Sequence, residues 1–159
     1  MMATTGSERT VLIAMDGSKH SEFAFNWYVK NIHRPGDHVL LAHCADYKSY
    51  MSIYGGTAVV PSDHDLLTSI VKEEEQKILK TVTAIEAILK ENSKVDGQVV
   101  RLTGHPGEAI VSAATEKKVD FIVTGCRGLG QIRRTLMGSV SDFVIHHATM
   151  PVFVCRHTS

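Results

Sequence analysis

Long apolar runs are missing from this sequence, and so are the residues that staple small proteins together. Only three cysteines occur among 159 residues, Cys44, Cys126 and Cys155, odd in number and far apart. That argues against a disulfide framework and for reduced thiols in a cytoplasmic protein. An excess of charge is also lacking, since 17 Lys and Arg balance 17 Asp and Glu. No global field draws the chain to nucleic acid or to an anionic membrane, so neither is an expected partner. No stretch approaches the length of a membrane span. The opening residues are polar and without the apolar centre of a signal peptide. Nine histidines are present, but not at metal-binding spacing, and the adjacent pair His146 and His147 falls on different sides of a helix. Zinc is therefore not expected.

What is present suits one domain. Residues 1–9 read as a flexible N-terminus and residues 10–157 as the domain, with 43% apolar residues to build a core. Val11-Leu12-Ile13-Ala14-Met15 is a short apolar run, the mark of a strand buried on both faces. Asp16-Gly17-Ser18 ends it, with Ser18 as N-cap of a helix whose stripe is Ala24, Trp27, Tyr28 and Ile32. Pro35-Gly36 stops that helix. Val39 to Ala42 forms a second strand. Residues 46–61 read as a loop carrying Tyr47, Tyr50 and Tyr54. A long helix opens at Pro61-Ser62-Asp63, with Leu67, Ile70, Val71, Ile78, Val82, Ile85 and Leu89 on one stripe.

Val99 to Leu102 is a third strand, and Arg101 within it points to an edge position. Gly104-His105-Pro106-Gly107 leads into a helix with Pro106 in its first turn and a stripe of Ile110, Ala113 and Ala114. Val119 to Thr124 is the fourth strand, Val140 to His147 a short helix, and Met150 to Cys155 the fifth strand. Strands alternating with helices predict a doubly wound α/β sandwich with a five-stranded parallel sheet. In such a sheet, ligands bind beyond the carboxyl ends of the strands where the strand order reverses.

The fourth strand runs into Gly125-Cys126-Arg127-Gly128, then nine residues, then Gly138-Ser139-Val140-Ser141. Glycines let backbone N–H groups approach an anion, and a helix N-terminus adds unpaired N–H groups and a positive dipole end. Ser139 and Ser141 can add hydroxyls. Asp16 reads either as a site carboxylate or as a residue stabilising a helix start. Arg133 and Arg134 read as a solvated pair. His43 reads as a packed core histidine. No Gly-x4-Gly-Lys-Ser/Thr loop is present, and no Gly-x-Gly-x-x-Gly follows the first strand, which disfavours P-loop and dinucleotide-binding enzymes.

These features together resemble the universal stress protein family, over nearly the whole chain. The ATP-binding members carry Gly-x2-Gly-x9-Gly-Ser/Thr after the fourth strand, matched by Gly125, Gly128, Gly138 and Ser139. They carry an Asp after the first strand, matched by Asp16. Leu41-Ala42-His43-Cys44 and Pro151-Val152-Phe153-Val154 match further family stretches. The resemblance implies strand order 3-2-1-4-5 and a homodimer formed through the strand Pro151 to Cys155. It also implies an adenine nucleotide, ATP with Mg or Mn, in the crevice. Ala14 would lie near the base and Cys44 would meet adenine through its backbone. Asp16 would face the ribose or the metal, and Gly125, Arg127 and Gly128 would wrap ribose and phosphate. Gly138, Ser139, Val140 and Ser141 would close on the outer phosphates. Arg127 sits where relatives vary, and Gly130 is an extra glycine. The expected role is a nucleotide-dependent switch or sensor in a stress response. The alternatives are a slow ATP hydrolase at the same site and a dimeric interaction protein whose nucleotide site is vestigial.

Overall fold

A computed structural model describes residues 8–45, 64–126 and 138–157. Among these, five strands alternate with four helices: β1 (Arg9–Ala14), α1 (Lys19–Asn31), β2 (Asp37–Ala45), α2 (His64–Glu91), β3 (Asp96–Thr103), α3 (Pro106–Glu116), β4 (Phe121–Cys126), α4 (Ser139–His147) and β5 (Val152–Arg156). The strands form one parallel sheet in the order β3-β2-β1-β4-β5. The expected loop with Tyr47, Tyr50 and Tyr54 lies outside the described residues. No described helix is long and apolar enough to cross a membrane.

The apolar runs split between two cores because successive strand residues point to opposite faces. Val11, Ile13, Val39, Leu41 and Val123 meet Phe25, Tyr28 and Ile85 on the face covered by α1 and α2. Leu12, Leu40 and Ile122 meet Ile110, Ala114 and Val144 on the face covered by α3 and α4. Burial on both faces is why β1, β2 and β4 read as continuous apolar stretches.

Several boundaries and two stripes differ from expectation. β1 begins at Arg9, β3 spans Asp96–Thr103, and β4 continues through Gly125 and Cys126. The buried face of α1 is Ser21, Ala24, Phe25 and Tyr28. Trp27, placed on that stripe from the sequence, is 37% exposed, because it lies roughly a third of a turn round the helix from it. On α2 the stripe holds at Ile78, Val82 and Ile85, whereas Leu67 and Val71 are 41% and 58% exposed. A helix of 28 residues runs about 42 Å. The eight-residue strand β3 beneath it runs only about 26 Å. The apolar stripe therefore outruns the sheet.

The amino-terminal end of the sheet is locked by a buried carboxylate. Asp37 is 2% exposed. Arg9 donates from Nε to its Oδ1 at 2.8 Å and from Nη2 to its Oδ2 at 2.7 Å. The Tyr28 hydroxyl and the Arg34 backbone N–H donate to Oδ2 at 2.7 and 3.0 Å. Burial pushes the Asp37 carboxyl upward, but the donors from Arg9, Tyr28 and Arg34 outweigh it and hold it below the ordinary carboxylate range. Burial, then the Asp37 hydrogen bond, pushes the Tyr28 phenol up, so it remains a donor.

Removing this carboxylate leaves the buried Tyr28 hydroxyl, the part-buried Arg9 guanidinium and the Arg34 N–H without their acceptor. Asp37→Ala is expected to cost about 3 kcal/mol in urea unfolding at neutral pH. The folded carboxyl sits below its unfolded value of about 3.9. Its contribution is thus complete above that value and is lost as pH falls through the folded one. In the variant, the decline of stability on acidification should be shallower than in the wild type.

Candidate functional site

β1 is the strand at which the winding reverses. α1 leaves it toward one face, while α3 and α4 cover the other. At the carboxyl ends of β1, β2 and β4 a crevice of about 300 Å³ opens, at the kind of switch point where open α/β sheets bind ligands. One end is apolar, lined by Ala42, Pro106 and Ile110 beside Cys44. The other is polar, lined by Asp16, Ser18, His20 and the segment Gly138 to Ser141.

Two glycines make this geometry possible. Gly17 has φ +81°, in the left-handed region, and a Cβ there would stand 2.9 Å from Thr81 Cγ2. A Cβ on Gly125 would meet the His20 carbonyl oxygen at 2.6 Å. The end of β4 is therefore packed directly on the backbone of the first turn of α1.

The helix starts facing the crevice are not equivalent. At α1, Asp16 Oδ1 accepts from the Ser18 N–H at 2.9 Å, and Ser18 Oγ accepts from the Ser21 N–H at 3.3 Å. The Ser21 hydroxyl donates to the Ser18 carbonyl at 2.9 Å. That start is capped by its own side chains. At α4 the N-cap is Gly138, with φ −60° and ψ 148° and no side-chain cap bond. Gly138 thus offers the first-turn amides of α4 no side-chain acceptor, and among the described residues no side chain accepts from them. The buried Ser141 hydroxyl donates to the Gly138 carbonyl at 2.9 Å, so its proton is committed within the turn.

His43 takes the structural role expected of it. It is buried, and its Nδ1 lies 2.8 Å from the Met15 carbonyl, which accepts. The Met15 N–H donates to the Ala42 carbonyl at 2.8 Å. Together these fix the backbone from which Asp16 projects. Cys44 is partly exposed, with Sγ 3.5 Å from the Gly104 carbonyl. Burial pushes the Cys155 thiol up, which keeps it protonated and unreactive.

Of the residues singled out from the sequence, the structure brings Ala14, Asp16, Cys44, Gly125, Gly138, Ser139, Val140 and Ser141 to one crevice. Arg127 and Gly128 lie outside the described residues, as do Gly130, Arg133 and Arg134. Sequence reasoning did not assign Met15, Ser18, His20, Ser21, Pro106, Ile110 and Thr124 to the site. Ser18 and Pro106 carried a local signal, each at the start of a helix. The described serine hydroxyls Ser18 and Ser21 serve as caps, and among the described residues no cluster of three or more His, Cys, Asp or Glu is placed to hold a metal. The arrangement is suited to holding an anion with backbone amides.

Comparison with known proteins agrees with this geometry. The model of the universal stress protein family matches residues 8–156. A universal stress protein from Thermus aquaticus is 30% identical over 148 residues, covering 93% of this chain and 98% of the relative. Among solved structures, a universal stress protein family protein from Arabidopsis thaliana with AMP bound shares the fold. Its TM-score is 0.67 at 21% identity, covering 95% of this chain and 93% of that one. A universal stress protein in complex with cAMP has a TM-score of 0.55 at 20% identity, covering 95% of this chain and 98% of its own. With the strand order, the crevice and a family match along nearly its whole length, the chain belongs to the universal stress protein family.

Proposed function

We propose that the crevice binds an adenine nucleotide, ATP in its fullest form. In this reading the protein is a cytoplasmic, nucleotide-dependent switch or sensor in a stress response. The observation that carries this is the α4 start, capped by Gly138 without a side-chain acceptor and sharing one crevice with Asp16 and Gly125. Uncapped amides and the positive dipole end favour a phosphate there. The apolar end beside Ala14, Ala42, Pro106 and Cys44 suits a planar base. Relatives of this fold with AMP and with cAMP bound support an adenine nucleotide.

Asp16 would hold the accompanying Mg or Mn. One carboxylate with no cluster of further ligands among the described residues fits an ion that takes its remaining oxygens from phosphate and water. Such an ion would neutralise phosphate charge. Arg127 and Gly128 complete the phosphate loop in this reading. Hydrolysis would further need a residue to position an attacking water, and the sequence marks none, so binding is the reading favoured. Calorimetry with Mg-ATP on nucleotide-stripped protein should show heat and a raised Tm. The absence of both at millimolar ATP would remove the reading.

A sharper outcome comes from filling the cap. Gly138→Asp gives α4 its own side-chain acceptor and an anion at its positive end, so the helix should gain about 0.5 kcal/mol. The same carboxylate occupies the amides meant for phosphate and repels it. ATP affinity should fall by about tenfold or more while Tm holds or rises. Thermal unfolding and calorimetry on one sample check both signs.

The homodimer is part of the same proposal. β5 is an edge strand with Phe153 40% exposed, and Phe23 and Trp27 line a hollow beside it. An edge of this kind invites pairing with a second copy. Light scattering should give the mass of a dimer for the wild type and of a monomer for Phe153→Asp.

A further inference from the structure

Four histidines of this protein have hydrogen-bond partners for a ring nitrogen. Besides His43, the Nδ1 atoms of His38, His146 and His147 lie within hydrogen-bond distance of Asp96, the Asp142 carbonyl and the Phe143 carbonyl, at 2.9, 2.8 and 2.8 Å. His20 differs. Its Nδ1 is buried without a hydrogen-bond partner, and among the described residues it is the only buried side-chain nitrogen or oxygen in that position. Such atoms are rare in folded proteins and need a reason. The ring stands edge-on to His157 at 6.0 Å, which itself packs on Phe23 at 4.8 Å. Packing positions the imidazole, and no hydrogen bond at Nδ1 fixes its tautomer.

The place of this ring is telling. His20 lines the crevice from the first turn of α1, and its backbone lies against Gly125 at the end of β4. With the order β2-β1-β4-β5, that is the side away from the apolar end at β2 and α3. We infer that His20 is a phosphate-contacting residue of the nucleotide site, donating an imidazole N–H to the outer phosphates. This rests on the nucleotide reading above. No family feature or sequence spacing marked the residue.

The chemistry fits the ligand. A neutral imidazole offers one N–H, and a protonated one offers two together with a positive charge.

The test is calorimetry with ATP and with adenosine, in EDTA so that no ion on Asp16 intervenes, on the wild type and on His20→Phe. Phenylalanine retains a ring against His157 and removes both nitrogens. ATP should bind about tenfold more weakly to the variant, with adenosine unchanged. A second measurement needs no variant: the His20 ring nitrogen resonances of the wild type should move on adding ATP and stay in place with adenosine. Equal ATP affinity in both proteins, or resonances that ATP leaves unmoved, overturns the assignment. An equal loss for ATP and adenosine also overturns it, by making His20 a determinant of crevice shape. If the wild type binds neither ligand, the nucleotide reading itself fails and the assignment with it.

Discussion

The carboxyl end of this sheet depends on how closely β4 approaches the first turn of α1. A single methyl-sized group on Gly125 would stand 2.6 Å from the His20 carbonyl, a distance that no backbone can absorb without moving. Because that approach is allowed, the end of β4 and the turn after β1 share one wall. Asp16, His20 and the start of α4 then surround a single hollow. A larger residue at this point would push α1 off the sheet and open the crevice to water. The glycine is thus a packing requirement first, and its value to a ligand follows from that.

The opposite end of the sheet carries the complementary burden. Asp37 joins β2 to Arg9 of β1 and to Tyr28 of α1, and the Arg9 guanidinium also sits 5.3 Å over the Phe121 ring of β4. Three strands and one helix are tied together there, with nearly every lone pair of the carboxylate occupied. A buried charge of this kind destabilises the fold unless its donors are complete, so it defines the register of β1 on β2 sharply. Polar groups at the amino end are mutually satisfied, whereas those at the carboxyl end include an uncapped helix start and an unpartnered imidazole nitrogen. That asymmetry separates the part of the molecule built for stability from the part built for binding.

Which features were legible in the sequence follows from the range of the forces involved. The runs Val11 to Ile13, Val39 to Leu41 and Phe121 to Val123 announce buried parallel strands because both faces are covered, and that information is local. Ser18 and Pro106 mark helix starts for the same reason. The stripe on α2 shows which side of the helix is apolar but not how far the surface beneath it extends, so Leu67 and Val71 were counted as core. Trp27 was placed on the stripe by its spacing of three from Ala24, but the buried face centres on Phe25 and Tyr28. Asp37, Arg9 and Tyr28 are far apart in the chain and have no motif, and their meeting exists only in three dimensions. In the site, the glycine spacing and Asp16 pointed to the crevice at the carboxyl ends of the strands. His20 and Thr124 entered the crevice only through the packing of β4 on α1.

A helix start without a side-chain cap costs stability, and α4 carries that cost at Gly138 as α3 does at His105. Serine, aspartate or asparagine at position 138 would satisfy an amide of α4, and the backbone there, at φ −60° and ψ 148°, accepts any of them. Glycine is therefore not required by conformation at this position. Ser141 points the same way, since its hydroxyl turns back to the Gly138 carbonyl and leaves the amides alone. At α1, two residues of a single turn, Asp16 and Ser18, do satisfy the amides. Chemistry available at one helix start has been withheld from the other, within the same crevice. The difference is accounted for if the missing acceptor at α4 arrives from outside the chain, and an oxyanion is the group that a helix start of this kind accepts best.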